Sequence, residues 1–271
     1  MVAPLAARCY TATAMITAME GATKLTSPQD PELEAMVEAG VHVGHVRSKR
    51  HPAMAPYLWG VRANTDIIDL LQTKEKLAVA LALLRELARD DKLVLFVGAR
   101  PSAKEFIRAA AVEFGYPYVD RRWIGGTLTN FKVIRKRVEV LEGLEQERAS
   151  GGFEKYTKKE RLVKEQEMGR LVEHFDGLRR LTRLPDALVV VDISQDTLAL
   201  AEAKRMGIPV VALTDTNTDP RQVAYPIPSN DDARPAVAYM VERMRHALRE
   251  GMAARADALD AASATPEIQQ P

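Results

Sequence analysis

Short apolar runs and amphipathic stretches alternate along most of the chain. Leu93–Val97, Leu188–Val191 and Val210–Leu213 are continuous apolar runs, as expected of strands that are buried on both faces. The stretches between such runs carry apolar residues at a spacing near 3.6, which is typical of helices that cover a sheet. Because crossovers between parallel strands are right-handed, the pattern predicts an α/β fold: a Rossmann-like parallel sheet flanked by helices.

Capping residues predict several helix boundaries. Asp30 marks the start of the first helix. Thr73 is predicted to cap the next helix, directly after a buried strand at Ile67–Leu71. The segment Ser102–Glu105 has the spacing of a capping box, and Gly115 marks the end of that helix.

Residues 128–184 interrupt the alternation, because no strand candidate occurs there. Apolar residues recur in the first half at spacings of three and four: Leu128, Phe131, Ile134, Val138 and Leu141. A glycine pair at Gly151-Gly152 separates this stripe from a rougher second one. We therefore predict a protruding, coiled-coil-like helical hairpin inserted between two strands of the sheet.

These elements predict the domain organisation. The α/β domain comprises residues 29–127 and 184–256, and the inserted helical hairpin comprises residues 128–183. Residues 1–28 are expected to form a flexible extension, and residues 257–271 a disordered tail. The extension's acid-poor start faintly resembles an organelle transit peptide, but it holds a single arginine, so a flexible tail or a later start codon is the preferred interpretation.

Composition excludes several protein classes. The 271 residues include 38 Lys and Arg against 37 Asp and Glu, so the chain as a whole is not strongly basic. The single cysteine, Cys9, excludes an internal disulfide framework and fits a reducing compartment. No apolar run approaches the roughly 20 residues of a membrane span.

Positive charge is concentrated locally. We expect Val41–Arg62 to form an irregular, acid-free loop, which contains four Lys and Arg. Residues 121–164 contain twelve Lys and Arg against six acids. Aromatic residues that we expect to be exposed lie among these cations: Tyr57, Trp59, Trp123 and Phe131. Cations bind phosphates and aromatic rings stack on bases, so both stretches predict nucleic-acid binding. For Arg135–Arg137 alone, an ordinary solvated helix face is an equally good interpretation.

Motifs of catalysis and metal binding are weak. The strand–loop–helix after Gly98 lacks both phosphate-binding fingerprints, although its helix N-terminus could meet a nucleic-acid phosphate, which brings Arg100 and Lys104 into the candidate surface. Three histidines lie close in sequence without a nearby cysteine, and we expect them to pack or form hydrogen bonds rather than bind zinc: His42, His45 and His51. Asp215–Asp219 could hold a cation or simply cap its own turn. No catalytic group, cofactor or metal site is predicted.

Several blocks in one order resemble a known family, the bacterial-type second protein of the small ribosomal subunit. The blocks are EAGVHVGH at 38–45, PAMAPY at 52–57, RWIGGTLTNFK at 122–132, LPDAL at 184–188, GIPVV at 207–211, DTNTDP at 215–220 and IPSNDDA at 227–233. The resemblance extends over about residues 33–248. One departure is Ile193-Ser194-Gln195, where many relatives carry Asp or His, which puts a metal or partner contact by those side chains in doubt.

The resemblance implies a structural constituent of the cytoplasmic ribosome, not an enzyme. Its expected partners are small-subunit ribosomal RNA and neighbouring ribosomal proteins, with no membrane and no small-molecule substrate. The family's RNA contacts carry over to Arg47, Lys49, Arg50, Arg62, Arg121, Arg122, Trp123, Asn130 and Lys132, and Arg135 follows them on the same helix.

Two other hypotheses stay open at this point. One is a Rossmann-like enzyme that binds a nucleotide or sugar phosphate near Gly98 and Asp215. The other is a pure protein-interaction module, whose binding would survive ribonuclease and high salt.

Overall fold

The computed structural model describes residues 30–263, with side chains for residues 30–260, so the predicted extension at 1–28 lies outside the described residues. The helices and strands are, in chain order, α1 (Pro31–Glu38), β1 (Val43–Val46), β2 (Leu58–Arg62), β3 (Thr65–Ile68), α2 (Leu70–Arg89), β4 (Val94–Val97), α3 (Pro101–Phe114), β5 (Tyr118–Val119), α4 (Phe131–Ala149), α5 (Lys158–Phe175), β6 (Ala187–Val190), α6 (Thr197–Met206), β7 (Val210–Thr214), β8 (Tyr225–Pro228) and α7 (Arg234–Ser263).

A five-stranded parallel sheet forms the centre of the fold, in the order β5-β4-β6-β7-β8. This sheet and its flanking helices confirm the predicted fold class. Consecutive strands lie on opposite sides of β4, so the strand order reverses between β4 and β6. At such a switch point the loops after the two strands diverge and leave a crevice at their carboxyl ends.

The two faces of the sheet are covered by different helices. Val94 and Phe96 point into a core with α2, α3 and α7. Leu95 and Val97 point to the opposite side, into a core with α6 and parts of α4 and α5. The residues of α4 and α5 in this second core are Ile134, Val138, Leu141, Met168, Leu171 and Phe175. These parts of the two helices therefore belong to the sheet's cover, which the narrow apolar stripe did not indicate.

A second, antiparallel sheet was not predicted. Its order is β1-β3-β2, and it occupies most of the segment that we expected to be irregular, together with two 3₁₀ turns. The predicted strand at Ile67–Leu71 lies earlier, because Asp69 caps α2 by accepting a hydrogen bond from the Leu71 amide. Thr73 was wrong as the cap: its hydroxyl donates to the Pro228 carbonyl at 2.7 Å, across the core.

One predicted helix end is confirmed, and one predicted start is wrong. Gly115 ends α3 with a φ near +70°, which favours glycine, and Gly207 ends α6 in the same way. The Ser102–Glu105 capping box does not form: α3 begins at Pro101, and Glu105 instead pairs with Arg234. Proline already suits the first helical position, so no side-chain cap is needed there.

Two elements near the C-terminus, β8 and α7, also differ from expectation. Strand β8 was missed because it contains two prolines, which an edge strand tolerates. Helix α7 continues to Ser263, so residues 257–263 of the predicted disordered tail are helical, as suits their alanine content. Residues 264–271 lie outside the described residues.

Among residues 30–263, no helix combines the length and the apolar character that a membrane crossing requires.

Candidate nucleic-acid interface

The acid-free loop presents a mixture of unpaired and paired cations. Arg47 and Lys49 are exposed, and neither side chain forms a hydrogen bond or salt bridge with any described residue. Arg62 is exposed at the end of β2. Arg50 differs, since its Nε donates at 2.7 Å to the carboxylate of Asp66, which is fully buried. Hydrogen bonding to Asp66 raises the pKa of Arg50, and this cation holds the loop against the small sheet.

The loop after β5 carries the next two predicted contacts. Arg121 and Arg122 are both exposed, and Arg121 is paired with Glu173 of α5. Arg122 has no hydrogen bond or salt bridge among the described residues. Trp123 is only 4% exposed, so the expectation of an exposed ring was wrong. The indole packs against the sheet, and it cannot stack on a base in this position.

One buried carboxylate holds this loop in place. Glu202, on α6, accepts hydrogen bonds from the Trp123 indole and from the amides of Gly126, Leu128 and Thr129, and also from the Thr129 hydroxyl. Burial alone would raise the pKa of Glu202, but these hydrogen bonds outweigh it and lower the pKa. Sequence reasoning missed Glu202; the available signal was an acid between two alanines on a helix that covers the sheet.

The first turns of α4 continue the basic surface. Asn130 lies at the N-cap position, exposed and without a side-chain cap bond. Lys132 is exposed and unpaired among the described residues, as are Lys136 and Arg137, which we had not singled out as contacts. Arg135 donates to the Arg179 carbonyl at 3.1 Å, and its guanidinium lies 3.7 Å from the carboxylates of two acids of the same helix, Glu139 and Glu142.

Of the two remaining predicted contacts, Arg100 lies at the switch point and Lys104 lies near the end of β5. Arg100 turns into a cluster of carboxylates after β6 and β8: it pairs with Asp192 and Asp232 and lies 3.5 Å from Asp231. Its charge is thus balanced inside the protein. Lys104 is half-buried, with its Nζ 4.0 Å from Asp120.

Histidine 45 completes the switch-point cluster. Nδ1 of His45 lies 3.1 Å from Asp215, and Nε2 lies 3.1 Å from Asp232. The hydrogen bond with Asp215 raises the pKa of His45, against the opposite effect of burial. Ligand atoms of these three residues lie within 4.8 Å of one another, so they form a group, within the described part of the chain, that could hold a metal ion.

The other predicted metal candidates are structural. His42 is buried, which lowers its pKa, and His51 accepts a hydrogen bond from the Ala53 amide at 3.2 Å. Asp219 accepts from the Arg221 amide and side chain, so that part of the turn caps itself. That the protein binds no metal or cofactor stays a prediction.

Beside this cluster, Asp196 is expected to make stability depend on pH. It is 2% exposed, and burial, together with the charge of Asp192, raises its pKa to about 6. The folded state therefore binds this proton more tightly than the unfolded state, and stability falls as pH rises from about 4 to 6. Asp196→Asn should match the wild type at pH 4 and be more stable by about 1–2 kcal/mol at pH 7.

Urea unfolding at pH 4, 5.5 and 7 measures this difference. Glu167→Gln, at an exposed acid of α5 that has no partner among the described residues, serves as a control that should show no pH-dependent difference. A constant offset between Asp196→Asn and the wild type at all three pH values would contradict the prediction.

Comparisons with known proteins agree with the resemblance found in the sequence. The family described as Ribosomal protein S2 matches residues 36–251. "Small ribosomal subunit protein uS2" of Wolinella succinogenes is 42% identical over 221 residues, which cover 82% of each chain. The proteins of the same name from Amoebophilus asiaticus and Sulfurimonas denitrificans are 42% and 40% identical; the matches cover 81% and 84% of this chain, and 70% and 88% of theirs.

Proposed function

The chain belongs to the ribosomal protein S2 family. From that premise we propose that it binds the RNA of the small ribosomal subunit through the exposed cations of the acid-free loop, the loop after β5 and helix α4. The family is structural and non-enzymatic, and its members are constituents of the small subunit that support translation. A location in cytoplasmic ribosomes is part of the same proposal.

The concentration of unpaired cations on one surface carries the proposal. On α7, the arginines have acidic partners on neighbouring helices: Arg243 pairs with Glu32, and both Arg245 and Arg249 pair with Glu113. The acid-free loop, the loop after β5 and the first turns of α4 instead present cations whose side chains lack partners among the described residues. They are Arg47, Lys49, Arg122, Lys132, Lys136 and Arg137. A phosphate backbone supplies the missing negative charge, and counterion release supplies much of the affinity.

The arrangement at the switch point argues against the hypothesis of a nucleotide-binding enzyme. In doubly wound enzymes the ligand binds at the switch point, where the loops after neighbouring strands diverge. Here Arg100 and its carboxylate partners occupy that crevice.

Apolar side chains of β2 support contacts with neighbouring small-subunit proteins as well. Trp59 and Val61 are 42% and 44% exposed, and residues two apart on a strand lie on the same face of the sheet. We include this strand in the proposed partner surface.

Single charge reversals test the RNA surface. Arg47→Glu, Arg122→Glu and Lys132→Glu should each lower the affinity for small-subunit ribosomal RNA roughly tenfold, because each replaces a phosphate contact by a repulsion. Each should also reduce the slope of log affinity against log salt by about one. Filter binding or fluorescence anisotropy at several KCl concentrations measures both quantities.

The matched control is Lys76→Glu, the same charge change on the exposed side of α2, a helix that packs on the opposite face of the sheet from α4. It should leave affinity and salt slope unchanged. If the three test variants bind RNA as Lys76→Glu does, the proposed surface is wrong.

A further inference from the structure

A cavity of about 130 Å³ lies where the loop after β5 leaves the edge of the parallel sheet. The end of α5 and the turn that follows it form the other wall. Its polar lining includes Arg108, Tyr118, Asp120, Arg122 and Asp176.

A glycine makes this wall possible. Gly177 packs so closely on β5 that a Cβ at this position would lie 2.2 Å from the Tyr118 carbonyl oxygen. The Tyr118 hydroxyl also contacts Asp176 at 3.4 Å. The cavity is therefore built by close backbone packing and not by mobile side chains alone.

The charges of the lining disfavour a simple anion. Three arginines line the cavity, Arg108, Arg121 and Arg122, but so do three acids, Asp120, Glu173 and Asp176. The formal charges cancel, so a lone phosphate would meet as much repulsion as attraction. A ligand that carries both N–H donors and a negative group would use both sets.

Asp120 is the acceptor that lacks a donor. It accepts no hydrogen bond from any described residue, and the ion pair that it forms, with Lys104 Nζ, is 4.0 Å long. Its side chain is only 15% exposed. A partly buried carboxylate with free lone pairs binds N–H groups of a ligand strongly.

Arginines supply the complementary contacts. The guanidinium of Arg108 lies 5.9 Å from the centre of the Tyr118 ring, which leaves a flat cationic surface beside the cavity. Arg122 is exposed at the cavity and unpaired among the described residues. Guanidinium planes stack on bases, and unpaired arginines bind phosphates.

We propose that this cavity binds one unpaired guanine nucleotide of the RNA, with the guanine edge at Asp120 and its phosphate at Arg122. Among the four bases, guanine offers two adjacent N–H donors on its Watson–Crick edge, N1–H and the 2-amino group, which one carboxylate accepts together. The inference rests on the proposed function, and it adds a specific contact to a surface that otherwise binds phosphates without regard to sequence.

Titration of the full-length, ¹⁵N-labelled protein with single nucleotides tests the inference. GMP should shift the Gly177 amide resonance and saturate, AMP should bind at least about tenfold more weakly, and inosine monophosphate, which lacks the 2-amino group, should be intermediate. Asp120→Asn should bind GMP as weakly as AMP. Glu167→Gln, which removes one acid of α5 outside the cavity lining, should bind GMP like the wild type.

Equal binding of GMP and AMP by the wild type, or no shift with either nucleotide, would overturn the inference. This result comes from the wild-type protein and does not depend on whether a variant folds. A guanine preference that survives in Asp120→Asn would overturn the assigned contact. These outcomes are independent of the charge-reversal test: RNA binding that depends on Arg47 and Lys132 but shows no guanine preference refutes the cavity alone.

Discussion

Replacing Arg100 with methionine is expected to lower the free energy of unfolding by about 3–5 kcal/mol at pH 7, which is typical of breaking a buried ion pair. Arg100 is the cation that pairs with Asp192, which is fully buried. It also lies beside Asp231, whose two carboxylate oxygens have no hydrogen-bond partner among the described residues. Methionine fills similar space but leaves the buried Asp192 carboxylate without its cation.

The loss of stability should be larger at alkaline pH than at neutral pH. Burial, with the nearby charges of Asp215 and Asp192, raises the pKa of Asp231 to about 8 even with Arg100 present. Without Arg100, the pKa of Asp231 rises further, so the folded variant takes up this proton at a higher pH than the wild type and its relative stability recovers as pH falls from about 9.5 to 7. Urea unfolding of both proteins at pH 9.5 and pH 7 measures the effect, and an equal loss at both would contradict this account.

Glu202→Ala is expected to cost a similar amount, about 3–5 kcal/mol, through a different mechanism. It removes one acceptor and leaves several donors around Trp123 and Leu128 unsatisfied, each at a cost of about 1–3 kcal/mol that water entering the gap partly offsets. Because hydrogen bonds lower the pKa of Glu202 in the folded state, its contribution is present above the usual pKa and is lost as pH falls through the lowered value.

Urea unfolding at pH 7 measures this loss, and Glu167→Ala, at an exposed acid of α5, should change stability by less than about 0.5 kcal/mol. Glu202→Ala should also bind RNA more weakly, because the loop that carries Arg122 loses the hydrogen bonds that hold it in place. A Glu202→Ala protein with wild-type stability would show that the amides find other acceptors.

The central sheet was predictable because its strands are apolar on both faces. β4, β6 and β7 are each buried along their full length, as is typical of parallel strands that are covered on both faces. The small antiparallel sheet gave no such signal, because its strands are partly exposed and because β1 and β2 each contain a glycine, in the sequences VGHV and LWGVR.

Charge was predictable in position but not in partner. Arg50, Arg100 and Arg121 look alike in the sequence, yet each has an acidic partner 16, 92 and 52 residues away: Asp66, Asp192 and Glu173. Such pairs depend on the tertiary fold, which periodicity does not describe. For the same reason Trp123 looked exposed beside two arginines, although its acceptor lies 79 residues further on.

The shared packing of α4 and α5 has a mechanical consequence. Their inner turns are part of the cover over Leu95 and Leu188, so the pair cannot be excised without baring one face of the sheet to water. A shortened protein would have to lose turns beyond Leu141 and before Met168 only. Conversely, a force applied at the outer end of the pair, near Phe153, is transmitted along both helices to the apolar contacts that cover the sheet.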